Sequence, residues 1–157
     1  MKDIFIDSNL IKNFTNPMDI EYIKLIEWLK KNNERDKSKN AYLVTSKKLI
    51  IEYFNTCREA YSDTCIYVII DLLQKQDRLN PFSTDEINEF KRKHFKKHIL
   101  NNLRSNYKDK MYFLPLIMMS DRKYALVIDD NFYLDINNFP GFRARAEKRP
   151  EKLPYDK

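Results

Sequence analysis

Gly141 is the only glycine in this 157-residue chain. Loops that cradle phosphate with backbone amides need several positions free of a Cβ, so the Gly-rich motifs of dinucleotide-binding and P-loop proteins are excluded together. The positive signal lies at the other end of the chain. In Met1-Lys-Asp-Ile-Phe-Ile-Asp-Ser-Asn-Leu-Ile11 a short apolar strand ends in a carboxylate, a hydroxyl and an amide before apolar residues resume. A buried strand delivers its last side chain to the C-terminal edge of a sheet, where open α/β sheets form ligand crevices. Asp7 therefore has a rigid mount facing solvent or a metal.

The length fits one domain, and 43% hydrophobic with 13% aromatic residues is a globular composition. We expect a domain over residues 1–147 and a charged, poorly ordered tail over 148–157. No apolar run approaches the ~20 residues needed to span a bilayer, and the amino terminus enters a strand instead of a basic leader. A soluble cytoplasmic protein with no membrane partner is the expectation. Cys57 and Cys65 have no Cys or His neighbours at metal spacing and read as reduced thiols. Lys and Arg total 29 against 23 acids, a net charge of +6, which draws polyanions towards the surface.

Strands and helices alternate. Residues 3–6 and 41–45 read as strands. Asn16-Pro17 is a cap and first-turn pair for a helix lined by Ile20, Ile23, Ile26 and Leu29, and Ser46 caps a helix carrying Leu49, Ile50, Glu52 and Tyr53. A further helix spans 62–76 and ends in the polar stretch 75–82. Ser83 and Glu86 form a capping box for a long basic helix to about Leu103. A helix over 109–120 contains Pro115, which should kink it or shift its start. Tyr124–Ile128 reads as a strand, followed by Asp129-Asp130-Asn131, with a short last strand near 133–136.

Asp7 and the Asp129-Asp130 pair thus end strands, Glu52 lies in a helix that follows a strand, and Asp109 stands near a helix start. If the strands are parallel and adjacent, one edge gathers all of these acids. Clustered carboxylates repel and are driven towards protonation; a hard divalent cation such as Mg²⁺ relieves that conflict and prepares water for attack on a phosphodiester. Each acid also has a plainer role. Asp7 could cap a turn, Glu52 could be a solvated helix acid, Asp109 a first-turn acid favoured by the helix dipole, and one of Asp129 and Asp130 a turn residue.

These motifs resemble those of PIN-domain nucleases. Ile4-Phe-Ile-Asp-Ser-Asn-Leu-Ile11 matches the family's opening strand and Asp-Ser/Thr-Asn signature, and Val44-Thr-Ser-Lys-Lys-Leu-Ile-Ile-Glu52 its second strand and acid-bearing helix. Asp109 falls at the third acid, and Leu126-Val-Ile-Asp-Asp-Asn-Phe132 resembles the segment supplying the fourth. The resemblance implies an α/β fold, a three-layer α/β/α sandwich around a mainly parallel sheet. It implies a Mg²⁺- or Mn²⁺-dependent endoribonuclease that hydrolyses phosphodiester bonds with metal-activated water, using Asp7, Glu52, Asp109 and Asp130. Asp129 leaves the register of the fourth acid open by one residue.

Ser8 and Asn9 would orient Asp7, and Arg104, Lys108 and Lys110 would hold the substrate backbone. Single-stranded or structured RNA is the expected substrate. Small bacterial members of the family are often toxins, so an antitoxin protein and a homodimer are candidate partners. The alternatives are a PIN-like nucleic-acid or protein-binding module without catalysis, and a nuclease acting on structured DNA.

Overall fold

Ile4, Phe5 and Ile6 are wholly buried because the strand that carries them, β1 (Lys2–Ile6), lies in the middle of the sheet. The computed structural model describes residues 1–57, 64–104 and 110–157. Among these, five strands form one parallel sheet in the order β3-β2-β1-β4-β5. The others are β2 (Ala41–Ser46), β3 (Leu79–Phe82), β4 (Tyr124–Leu126) and β5 (Arg145–Glu147). Ile4 is in register with Leu43 on one side, and Phe5 with Ala125 on the other.

The winding runs outwards from β1 to β3 and then returns to place β4 on the opposite side of β1. Because parallel crossovers are right-handed, this reversal puts helices on both faces. Helix α1 (Ile20–Lys30) packs on β2 and on α3 (Ile66–Lys75), with α2 (Lys47–Thr56) also against α3. In the other layer α4 (Thr84–His94) meets the helix Lys110–Met119, which in turn meets the helix Asp130–Asn138. With the short α5 (Lys97–Leu100) between them, these last two helices are α6 and α7. The result is the expected three-layer α/β/α sandwich. No helix among the described residues is long and apolar enough to cross a membrane.

Several local expectations change. The cap of α1 is Asp19, whose carboxylate accepts from the Glu21 amide, and not Asn16-Pro17. Its buried face is Tyr22, Leu25, Ile26 and Leu29, whereas Ile20 is exposed. The polar stretch 75–82 hides β3, whose Pro81 lacks the amide a central strand needs; the edge position tolerates it. The basic helix stops at His94, where buried Phe95 turns inwards to pack 5.1 Å from Phe139.

Pro115 lies within α6 without ending it. The final strand expected near 133–136 is instead part of α7, whose buried Phe132, Asp135 and Ile136 follow helical spacing. Residues 148–157 dock instead of trailing. Arg149 grips both oxygens of Asp19, Tyr155 packs on Trp28, and Leu153 is buried.

Arg78 is almost wholly buried, and its guanidinium donates to the Gln76 side-chain oxygen and to backbone carbonyls. Its guanidinium donates to the carbonyls of Leu29, Lys30 and Lys31 at the end of α1, and to that of Ala41. It thereby supplies the partners that the last turn of a helix lacks and meets the negative end of the helix dipole.

Candidate active site

The reversal of winding between β1 and β4 is the point where an open parallel sheet leaves a crevice at its C-terminal edge. Asp7 is the first residue beyond β1 and is fully buried. Its backbone amide donates to the Leu126 carbonyl of β4 at 2.9 Å, continuing the ladder, and its side chain caps the 3-10 segment Ser8–Thr15 by accepting from the Asn9 amide. The hydrophobic strand thus delivers the acid, and the cap fixes its rotamer.

Glu52 arrives from the neighbouring crossover. The Ser46 hydroxyl caps α2 through the Leu49 amide, and Glu52 then lies where the helix faces the Ser8–Thr15 segment, with which α2 packs. The Ser8 hydroxyl is 3.2 Å from Glu52 Oε2 and 3.5 Å from Asp7 Oδ1. The Ser8 hydroxyl thus lies between the two carboxylates and can donate its one proton to either. Next to Glu52, the buried Tyr53 donates to the Ile6 carbonyl at 2.6 Å. Burial, followed by the negative charges of Asp7 and Glu52, raises the Tyr53 phenol well above its ordinary value. That hydroxyl is therefore a fixed neutral donor beside the acids.

On the opposite wall, Lys110 at the start of α6 sets its ammonium 2.9 Å from Asp7 Oδ2 and 4.9 Å from the Phe132 ring centre. Phe5 explains this convergence. Its ring, one strand position before Ile6, packs 5.9 Å from Phe113 of α6 and 6.3 Å from Phe132 of α7. Phe113 lies three residues after Lys110 and Phe132 three after Asp129, so one core aromatic brings both helix starts to the same edge. A cleft of about 310 Å³ opens there, lined by Ser8, Asn9, Glu52, Asn55, Lys110 and Phe113 among others.

The chain matches no family model, no curated protein and no solved structure.

Of the acids read from the sequence, the structure brings Asp7 and Glu52 together. Asp129 caps α7 by accepting from the Phe132 amide at 2.7 Å. Asp130 is exposed and pairs with Lys148. The preference for Asp130 over Asp129 meets an outward, solvated pair, whereas Asp129 sits directly at the helix start that Phe132 holds. Asp109 and Lys108 lie outside the described residues. Among the described residues, no three His, Cys, Asp or Glu side chains gather as a metal-holding group.

Asn9 is exposed on the cleft with its backbone amide donating to Asp7 Oδ1, and the Ser8 hydroxyl reaches Glu52 as well as the Asp7 it was expected to orient. The Arg104 amide donates to buried Asp135, and Arg104 lines a separate cleft with His98 and Asp135. Lys110 serves Asp7 before any substrate. Sequence reasoning missed the tie from Tyr53 to β1, because a tyrosine beside a helix acid carries the same apolar signal as any core aromatic.

The donor set bears on a cation in two ways. Asp7 and Glu52 offer hard oxygens suited to Mg²⁺ or Mn²⁺, and the Lys110 ammonium is a positive charge already seated against Asp7. These residues fit a divalent ion bound in competition with Lys110.

Proposed function

We propose that this chain is a divalent-metal-dependent endoribonuclease with Asp7 and Glu52 at its centre. The observation that carries the reading is the joining of these two carboxylates by Ser8 at the C-terminal edge of β1, on the side where the sheet reverses its winding. The resemblance of the opening and Glu52 motifs to PIN-domain nucleases supports the same reading, and so does the net charge of +6.

Asp7 and Glu52 would hold the Mg²⁺ or Mn²⁺, with Asp109 and either Asp129 or Asp130 as the further acids that the motif order suggests. A divalent cation held there would supply an activated water for in-line attack and would offset the charge that grows on the phosphoryl group. The Ser8 hydroxyl lies between the two carboxylates and can donate to either. Tyr53 fixes α2 to β1 one residue behind them, so Glu52 cannot drift from Asp7. Lys110, released from Asp7, offers its ammonium to a phosphate oxygen. Asn9, exposed on the same cleft, has an amide to orient the substrate. An antitoxin partner and a homodimer belong to the same proposal.

A second reading is favoured by Lys110 itself. An ammonium that neutralises Asp7 permanently would make this a PIN-like binding module that does not cleave. The deciding experiment is cleavage of labelled single-stranded RNA, transfer RNA, single-stranded DNA and duplex DNA, in Mg²⁺ or Mn²⁺ against EDTA. Metal-dependent RNA cleavage by the wild type and none by Asp7→Asn supports the ribonuclease. Equal or absent cleavage by both proteins overturns it in favour of the module, and cleavage of DNA alone reassigns the substrate.

A further inference from the structure

Beside the cleft lined by Glu52 and Lys110 lies a second one of about 260 Å³, with Ser46, Lys48, Ile51, Thr84, Ile87 and Tyr112 in its lining. The two clefts share their walls. Helix α2 contributes Lys48 to one and Glu52, one turn later, to the other; α6 contributes Tyr112 to one and Lys110 to the other. Lys48 and Glu52 are separated by about 6 Å along the helix axis, from a rise of 1.5 Å per residue. A chain-like ligand leaving the carboxylates along α2 therefore meets this second cleft next.

Its chemistry is unusual for a surface. The Lys48 ammonium stands 3.9 Å from the centre of the Tyr112 ring, and the Lys91 ammonium, arriving from α4, 5.0 Å from the same centre. The two ammoniums are thus at most about 9 Å apart, the two distances laid end to end. The ring quadrupole attracts each of them, and two ammoniums gathered at one aromatic ring form a local positive charge suited to a polyanion. Tyr112 is 38% exposed and Ile51 48% exposed, which gives the cleft an apolar platform as well as its charge.

We propose that this cleft is a subsite for a nucleotide flanking the cleaved bond of a single-stranded polynucleotide. Lys48 and Lys91 move from the ring onto phosphate, and the ring they leave stacks on the base. The subsite rests on the ribonuclease reading only for its place beside the reacting bond. An aromatic face with convergent cations suits single strands, whose bases are free to stack, and not duplexes, whose bases are already stacked. An acidic protein segment would use the lysines without needing the ring.

The test is fluorescence anisotropy of the full-length protein with labelled oligouridylate, oligothymidylate and duplex RNA in EDTA, across a salt series. Tyr112→Leu is expected to weaken single-strand binding about 5- to 150-fold, the range for one stacked base, while Tyr112→Phe stays within about twofold of wild type. The double variant Lys48→Gln/Lys91→Gln is expected to reduce the salt slope by about 1.4, for two phosphate contacts on a single strand. It also tests the subsite if Tyr112→Leu fails to fold.

Oligothymidylate bound as well as oligouridylate would show a subsite indifferent to the sugar; preference for oligouridylate would tie it to RNA. Either supports the proposal. Equal binding by wild type and Tyr112→Leu, duplex preferred over single strands, or no single-strand binding by the wild type would each overturn it. Cleavage assays separate this from the catalytic reading. Asp7-dependent turnover with a KM unaffected by Tyr112→Leu sinks the subsite alone, whereas Tyr112-dependent binding without Asp7-dependent turnover sinks the nuclease alone.

Discussion

The hydroxyl of Tyr53 donates to the carbonyl of Ile6 at 2.6 Å, and each of these residues is the chain neighbour of a carboxylate: Glu52 on one side, Asp7 on the other. The register between the two acids is therefore set one residue behind them, in the core. Tyr53→Phe would leave the buried Ile6 carbonyl without this partner, a loss of about 1–3 kcal/mol. We expect the thermal midpoint to fall by several degrees and cleavage to fall more than tenfold. Retained cleavage with a lowered midpoint would show that α2 does not need this tie to aim Glu52.

Lys110→Met strands Asp7 as a buried charge, which costs roughly 3 kcal/mol in the absence of a replacement cation. In EDTA the variant should melt well below wild type. Added Mg²⁺ or Mn²⁺ should then raise its midpoint more than it raises that of the wild type, because the metal no longer competes with an ammonium. Differential scanning fluorimetry reads both effects. No extra response to metal in the variant would argue against a cation site at Asp7.

Alkali should weaken the fold. Burial raises Cys57 to about 11 and Tyr155 to about 12, and it also raises Tyr22 and Tyr53. Each group keeps its proton in the folded state at a pH where the unfolded chain has released it. Their contribution is full below the unfolded values of 9.0 for the thiol and 10.0 for the phenols. It is lost as pH rises through the folded values. Thermal midpoints measured from pH 7 to 11 should hold steady to about 9 and then decline. Iodoacetamide should label Cys57 slowly at neutral pH, because the thiolate is the reactive form.

Arg78→Met removes the donor to four backbone carbonyls around the end of α1. A cost of about 3 kcal/mol is expected, with hydrogen exchange speeding up first in the last turn of α1. Cleavage at saturating substrate should hardly change, since the arginine acts at the edge of the sheet opposite the acids.

Much of the architecture was legible because burial leaves a pattern. The continuous run Ile4-Phe5-Ile6 announced a buried strand, and the Ser83–Glu86 box announced the start of α4, where both reciprocal hydrogen bonds form. β3 was not legible: Leu79-Asn80-Pro81-Phe82 has neither alternation nor a proline-free core, and only its edge position lets it pair. The segment 133–136 looked extended because Tyr133, Leu134 and Ile136 favour strands, yet the Asp129 cap and the burial of Phe132 and Ile136 on one face decide for a helix.

At the site, the ends of β1 and α2 could be read because each acid follows an apolar run. The Asp7–Lys110 pair could not, since its partners are 103 residues apart and meet only through the packing of Phe5 on Phe113.

The first strand made gains its second neighbour only when the fourth is in place. β2 can join β1 early, but Phe5 must wait for Ala125, and the Asp7 amide for the carbonyl of Leu126. Pairing over such a separation is slow, because the intervening chain must be ordered before the contact rewards it. The surroundings of Asp7 are thus complete only when the second half of the chain has folded back onto β1. A chain interrupted before Tyr124 would leave one edge of β1 bare.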